Sequence, residues 1–228
     1  MPSLPFSRVG LNLYPLQQYD FAEIFIGFGV LLFSLTVHEM AHAWTADRLG
    51  DPTARLLGRV SLNPIVHADP IGTVILPLVS MFSGAMLIGW AKPVPVNLRY
   101  LHHPRRDYML VAAAGPASNL VLALFSALLL AIVPVSPYAS GEPNISVPIA
   151  TVLTRLVTLN VLLAVFNLLP IPPLDGGNVL AGLLRPGLAE IFNKIRPYGF
   201  VLLYALILSN AFSYIVIPPY RFILSWLL

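Results

Sequence analysis

The sequence predicts an all-α polytopic membrane protein. We expect about five to six transmembrane or re-entrant helical segments, with a small membrane-associated β-hairpin or extended loop. Three observations carry this. Only 10% of the 228 residues are charged and 57% are hydrophobic, against roughly 25% charged in soluble domains. Mean hydropathy is +0.79, and several apolar runs approach the roughly 20 residues needed to cross the hydrocarbon. The basic residues gather in a few short stretches. With no repeat and no low-complexity linker, residues 1–228 read as one domain, its functional core at 21–190 and a C-terminal transmembrane helix at 197–217.

Each element follows from its composition. Residues 1–20 have no apolar core behind a basic start, so they do not read as a cleaved signal peptide. Mostly apolar helices are expected at 21–46, 108–133, 148–169 and 197–217. A weaker run at 71–90 contains Pro77, Gly84 and Gly89. A short helix should follow Asp175 and stop at Pro186 and Gly187. The 134–147 stretch, rich in Pro, Ser and Gly, reads as an external loop.

Charge sets the orientation. Arg48, Arg55 and Arg59 follow the first helix; Lys92, Arg99, Arg105 and Arg106 precede the second; Arg185, Lys194 and Arg196 precede the last. The positive-inside bias puts these in the cytoplasm and the N-terminus outside. The net charge of +3 and pI of about 9.3 therefore report topology rather than a nucleic-acid partner. Since basic stretches flank the 71–90 run on both sides, we expect it to be re-entrant. Irregular backbone at that depth must be buried in protein or line a wet cavity. Arg155, inside a helix, is read as snorkelling to the headgroups.

The chemistry is concentrated in "HEMAH", at the end of the first helix. Residues four apart share a helix face, so His38 and His42 can reach one ion while Glu39 contacts a water on it. Chance alone gives this pattern roughly 0.002 times per sequence of this composition. Ionisable groups within membrane helices are costly and usually functional. A catalytic zinc takes three protein ligands and keeps one position open. The chain has no cysteine, so the third ligand is His, Asp or Glu. Asp175, in "FNLLPIPPLDGG", lies between apolar runs and needs a partner at depth; it is the favoured third ligand. His67, His102 and His103 lie in polar stretches and read as solvated groups, although His67 with Asp69 is a candidate for the site mouth.

"HEMAH", "GPASN" and "NLLPIPPLDGG", in that order over roughly residues 21–190, resemble the site-2 protease family of intramembrane zinc metalloproteases. The likeness is to a compact bacterial-type member without a PDZ domain. The resemblance implies that His38, His42 and Asp175 hold one zinc ion per chain and that Glu39 is the catalytic base. Asn167 matches the family's active-site asparagine. It further implies substrates that are single-span membrane proteins or signal-peptide remnants, in the bacterial cytoplasmic membrane, with the active site towards the cytoplasm.

Three further expectations concern substrate. Asn119 and Asn167 can hydrogen-bond a substrate backbone or a developing oxyanion; the plainer reading of each is an interhelical hydrogen bond. The small residues around Asn119 should let the helix carrying His38 approach closely. In "KPVPVN", Pro93 and Pro95 leave one strand edge without donors, while Val94 and Val96 can donate to an unwound client on the other. The rival class is a zinc transporter or sensor, which would need the ligands but not Glu39.

Overall fold

The structure, a computed structural model, describes residues 21–84, 89–133, 145–209 and 211–228. Residues 1–20 and most of the expected 134–147 loop fall outside these. The chain begins with α1 (Phe21–Arg48), the short α2 (Thr53–Leu56) and α3 (Pro64–His67). A π-helical turn (Pro70–Ile75) then feeds α4 (Leu76–Ser83). Next come α5 (Pro104–Ile132), α6 (Ser146–Asn167), α7 (Asp175–Leu183), α8 (Pro186–Ile195), α9 (Gly199–Leu208) and α10 (Ala211–Leu227). Among the described residues, four helical stretches are long and apolar enough to cross a membrane: α1, α5, α6 and the Pro186–Leu208 run.

α5 is the central element, packed against α1, α6 and α7. At 29 residues it is about 43 Å long at 1.5 Å per residue. Behind it, Val161, Val165, Leu169, Leu174, Leu206 and Val216 make a buried apolar cluster with Ala123. That cluster secures the Pro-rich turn between α6 and α7, and so the start of α7, where Asp175 stands.

Three expectations about elements change. The C-terminal helix expected as one piece over 197–217 is divided: α9 stops at Leu208, Ser209 is extended, and α10 runs on to Leu227 with Pro218 and Pro219 inside it. Pro186 does more than stop a helix, since it opens α8 at a position where its missing N–H costs nothing. No strand occurs among the described residues; residues 89–97 carry no regular secondary structure, so the hairpin form of the expectation does not hold there.

The 71–90 run closes on itself. After α4 ends at left-handed Gly84, the Trp90 N–H donates to the Gly72 carbonyl at 3.0 Å. The Trp90 carbonyl accepts from the Thr73 hydroxyl at 2.8 Å. These two bonds hold Trp90 against Gly72 and Thr73.

Candidate metal centre

His38 and His42 share the inner face of α1, one turn apart, and both are buried. Their Nε2 atoms lie 3.0 Å apart. Asp175, the first residue of α7, brings its Oδ2 to 3.1 Å from His38 Nε2 and 3.4 Å from His42 Nε2. These three side chains form a group of donor atoms able to hold one ion.

The donor set fits zinc. Tetrahedral ligands at about 2.0–2.1 Å stand roughly 3.3 Å from one another, close to the spacings above. His42 Nδ1 bonds the Val111 carbonyl at 2.7 Å, and a carbonyl only accepts, so that nitrogen carries a proton and, in the neutral ring, Nε2 is left for an ion. His38 Nδ1 likewise faces the Asn119 side-chain oxygen at 2.6 Å. Asp175 Oδ2 is buried and has no hydrogen-bond partner. Two imidazole nitrogens and a carboxylate oxygen thus converge on one point, an arrangement that could hold a metal ion.

Local sequence explains the convergence. Gly115 of α5 backs directly onto the pair: a Cβ there would lie 2.6 Å from His38 Nε2 and would collide with His42 Nε2. The small residues of "GPASN" therefore admit the imidazoles, and the helix that approaches α5 is the one carrying His38, as expected. Gly177 leaves room behind Asp175, since a Cβ would meet the Pro172 backbone nitrogen at 2.9 Å.

The remaining predicted residues are placed as follows. Glu39 is 9% exposed, and among the described residues its carboxylate has no hydrogen-bond or ion-pair partner. Asn119 is fully buried and both ends of its amide bond protein groups: Oδ1 faces His38, and Nδ2 donates to Asn160 Oδ1 at 2.7 Å. Asn167, the last residue of α6, donates to the Leu163 carbonyl at 3.0 Å, and its oxygen makes no hydrogen bond among the described residues. On the edge holding Val94 and Val96, the Lys92 N–H donates to the His67 carbonyl at 2.9 Å. The Val94 and Val96 N–H groups have no partner among the described residues.

One relevant residue has no site role in the sequence reading, and others behave differently from it. Arg59 served there only as a topology marker, yet it is 5% exposed and its guanidinium bonds the Lys92 carbonyl. His67 is not a solvated group: it is 2% exposed, with Nε2 bonded to the Ser61 carbonyl at 2.8 Å. Burial holds the His67 imidazole below its ordinary range; the Ser61 bond opposes that shift, as does the Glu39 charge, while Arg59 adds to it. Burial also lowers Arg59, with Glu39 opposing. Glu39 is thus within electrostatic reach of both. Asp69 instead caps the π-helical turn through the N–H groups of Ile71 and Gly72, at 3.0 and 2.7 Å. Arg155 pairs with Glu23 at 3.0 Å.

Comparison with known proteins agrees with this geometry. The family model described as Peptidase family M50 matches residues 26–208. "Putative zinc metalloprotease YwhC" of Bacillus subtilis is 38% identical over 208 residues, covering 90% of this chain and 88% of that protein. "Putative zinc metalloprotease Rip2" of Mycolicibacterium smegmatis is 34% identical over 182 residues, or 80% of this chain and 66% of that protein. The protein of the same name in Mycobacterium tuberculosis is 34% identical over 178 residues, or 78% of this chain and 64% of that protein. No solved structure gives a significant match.

Proposed function

The chain belongs to peptidase family M50, and from that premise we propose that it cleaves transmembrane segments of other membrane proteins near the cytoplasmic face. It is a site-2-type zinc metallopeptidase and, with four apolar helices of spanning length, an integral membrane protein. In this reading His38, His42 and Asp175 hold one zinc ion, Glu39 is the general base, and residues 1–228 act as a single domain. Substrates are single-span proteins or signal-peptide remnants, and the enzyme works in a bacterial cytoplasmic membrane. The observation that carries the ligand assignment is the meeting of two imidazole Nε2 atoms with the buried Asp175 Oδ2 within 3.0–3.4 Å of one another.

When bound, zinc lowers the pKa of a water ligand towards about 7 and polarises a carbonyl. Glu39, adjacent in sequence to His38 and without a hydrogen-bond partner among the described residues, accepts the proton of the attacking water. It then returns that proton to the departing amine. Asp175 contributes a negative charge that offsets the cost of a divalent ion in low dielectric. Asn167, whose amide oxygen makes no hydrogen bond among the described residues, would accept from an unwound substrate backbone.

A substrate helix must first unwind, because its amides are internally bonded and its freed groups need partners. The 89–97 segment supports a role as template. It is held at Trp90 and Lys92 and again at Asn97, whose N–H donates to Asp51 Oδ2 at 2.6 Å. Between these anchors Val94 and Val96 keep unused donors for a client strand. The basic stretches after α1 and before α5 support an active site towards the cytoplasm.

The test is co-expression with a library of tagged single-span proteins, comparing the intact enzyme with Glu39→Gln. We expect the variant to keep one zinc per chain and to lose cleavage by about 10²–10⁴-fold, the range for removing a general base. Full cleavage by a zinc-loaded Glu39→Gln enzyme would exclude Glu39 as the base. A preparation of the intact protein without stoichiometric zinc would exclude the ligand set.

A further inference from the structure

His42 and His38 reach the same protonation pattern by different means. His42 Nδ1 bonds a main-chain carbonyl, that of Val111, which can only accept. His38 Nδ1 faces a side-chain amide instead, and an amide can turn either its oxygen or its nitrogen towards a neighbour. Turned the wrong way, Asn119 would donate to Nδ1. The His38 proton would then sit on Nε2, aimed at Asp175, where the ion belongs. Something must fix the amide.

The fixing groups lie behind it, on α1 and α6. Ser34, Asn119 and Asn160 are all fully buried. Asn160 Nδ2 lies 2.8 Å from the Leu156 carbonyl and 2.8 Å from Ser34 Oγ. The Leu156 carbonyl accepts only, so the nitrogen of Asn160 must face it and the oxygen must face Asn119. That oxygen needs a donor, so Asn119 presents Nδ2 to it at 2.7 Å. The same nitrogen reaches towards the Ser34 carbonyl at 3.4 Å, a second acceptor of fixed polarity. Asn119 Oδ1 is then the only atom left for His38, and the proton belongs on Nδ1.

We propose that Asn160 is a positioning residue for the metal centre: by fixing the amide of Asn119 it decides which nitrogen of His38 carries the proton. It touches neither ligand nor substrate. Its polarity originates in a backbone carbonyl on α6 and is relayed through two amides to α1. Groups behind a ligand commonly set its tautomer, and their loss costs about 10–100-fold in metal affinity. The inference rests on the reading that His38 binds zinc through Nε2.

A carboxylate at position 119 separates this role from mere packing. Asn119→Asp offers His38 an oxygen whichever way it turns, so it should not depend on Asn160. Zinc affinity is measured by competition with a chromophoric chelator on purified full-length protein, and ligand geometry by the absorption of the Co²⁺-loaded form. With Asn119 intact, Asn160→Leu should weaken zinc binding about tenfold and alter the Co²⁺ spectrum. In the Asn119→Asp background the same change should cost less than about twofold and leave the spectrum alone. Equal losses in the two backgrounds would overturn the proposal. Asn160→Ala, which adds no bulk, is run beside it, and thermal melting of the zinc-free forms reports the fold. Independently of any variant, ¹⁵N NMR of the zinc-free parent should find neutral His38 protonated at Nδ1; protonation at Nε2 would overturn the relay. A parent that binds no zinc would instead refute the ligand assignment on which the inference rests.

Discussion

The metal centre and the 89–97 segment adjoin the same polar end of α1, yet they are built oppositely. At the centre, three helices leave almost no polar atom undecided: each imidazole has its Nδ1 fixed, and the amides behind His38 are matched in sequence. The 89–97 segment is fastened at Trp90, Lys92 and Asn97 and, among the described residues, leaves the Val94 and Val96 N–H groups without a partner. An ion needs donors held in place before it arrives, since misplacement weakens every bond to it at once. A peptide strand supplies its own hydrogen bonds and needs only an edge that is held and left open. Substitutions in the first region should therefore act on zinc, and those in the second on substrate.

The largest effect should come from Gly115→Ala. Alanine is the better helix former by about 1 kcal/mol, so the change does not weaken α5 itself. Its methyl group, however, would occupy the space of the His38 and His42 rings. We expect zinc affinity to fall by about 100-fold or more, the upper end for changes behind a metal ligand, and cleavage to fall with it. Zinc content by mass spectrometry beside a melting curve checks both halves. Retained zinc would show that the imidazoles are not held by α5 as described.

A smaller effect, on the other side of the comparison, is expected from Val94→Pro or Val96→Pro. Each removes one donor from the open edge without touching the anchors. One net hydrogen bond is about 0.5–1.5 kcal/mol, so KM should rise by roughly 2–10-fold with zinc content unchanged. Unaltered KM in a zinc-loaded, folded variant would remove the edge from the substrate site.

The same contrast governs what the sequence disclosed. His38, Glu39 and His42 were legible because spacing on a helix is local, and Asp175 because a carboxylate between apolar runs needs a partner. Asn160 carries no such mark: one amide in an apolar helix reads as an interhelical hydrogen bond, and only the fold places it behind Asn119. Arg59 looked like a topology signal because its position after α1 explained it fully. The division of the last helix was hidden as well, since "LILSNAF" has neither Gly nor Pro at the break. The part of the 89–97 edge already used at Trp90 and Lys92 depends on partners at residues 67 and 72, which no local pattern names.

The smallest expected effect lies between the two regions, at His67. Its carbonyl anchors Lys92 and its ring is within reach of the Glu39 and Arg59 charges. Burial holds the folded imidazole below its ordinary value of 6.5, so the unfolded chain binds a proton here more readily than the native protein. Stability is then unaffected by this group above about pH 6.5 and declines as pH falls below it, until the folded imidazole also protonates. His67→Gln keeps a donor for the Ser61 carbonyl and removes the titration. The drop in melting temperature between pH 7.5 and 5.5 should therefore be smaller in the variant than in the parent. Every other group is common to the two proteins, so its contribution cancels in the comparison. An equal drop in the two would mean that the His67 ring takes up its proton without leaving its place, and that the Lys92 anchor is indifferent to its charge.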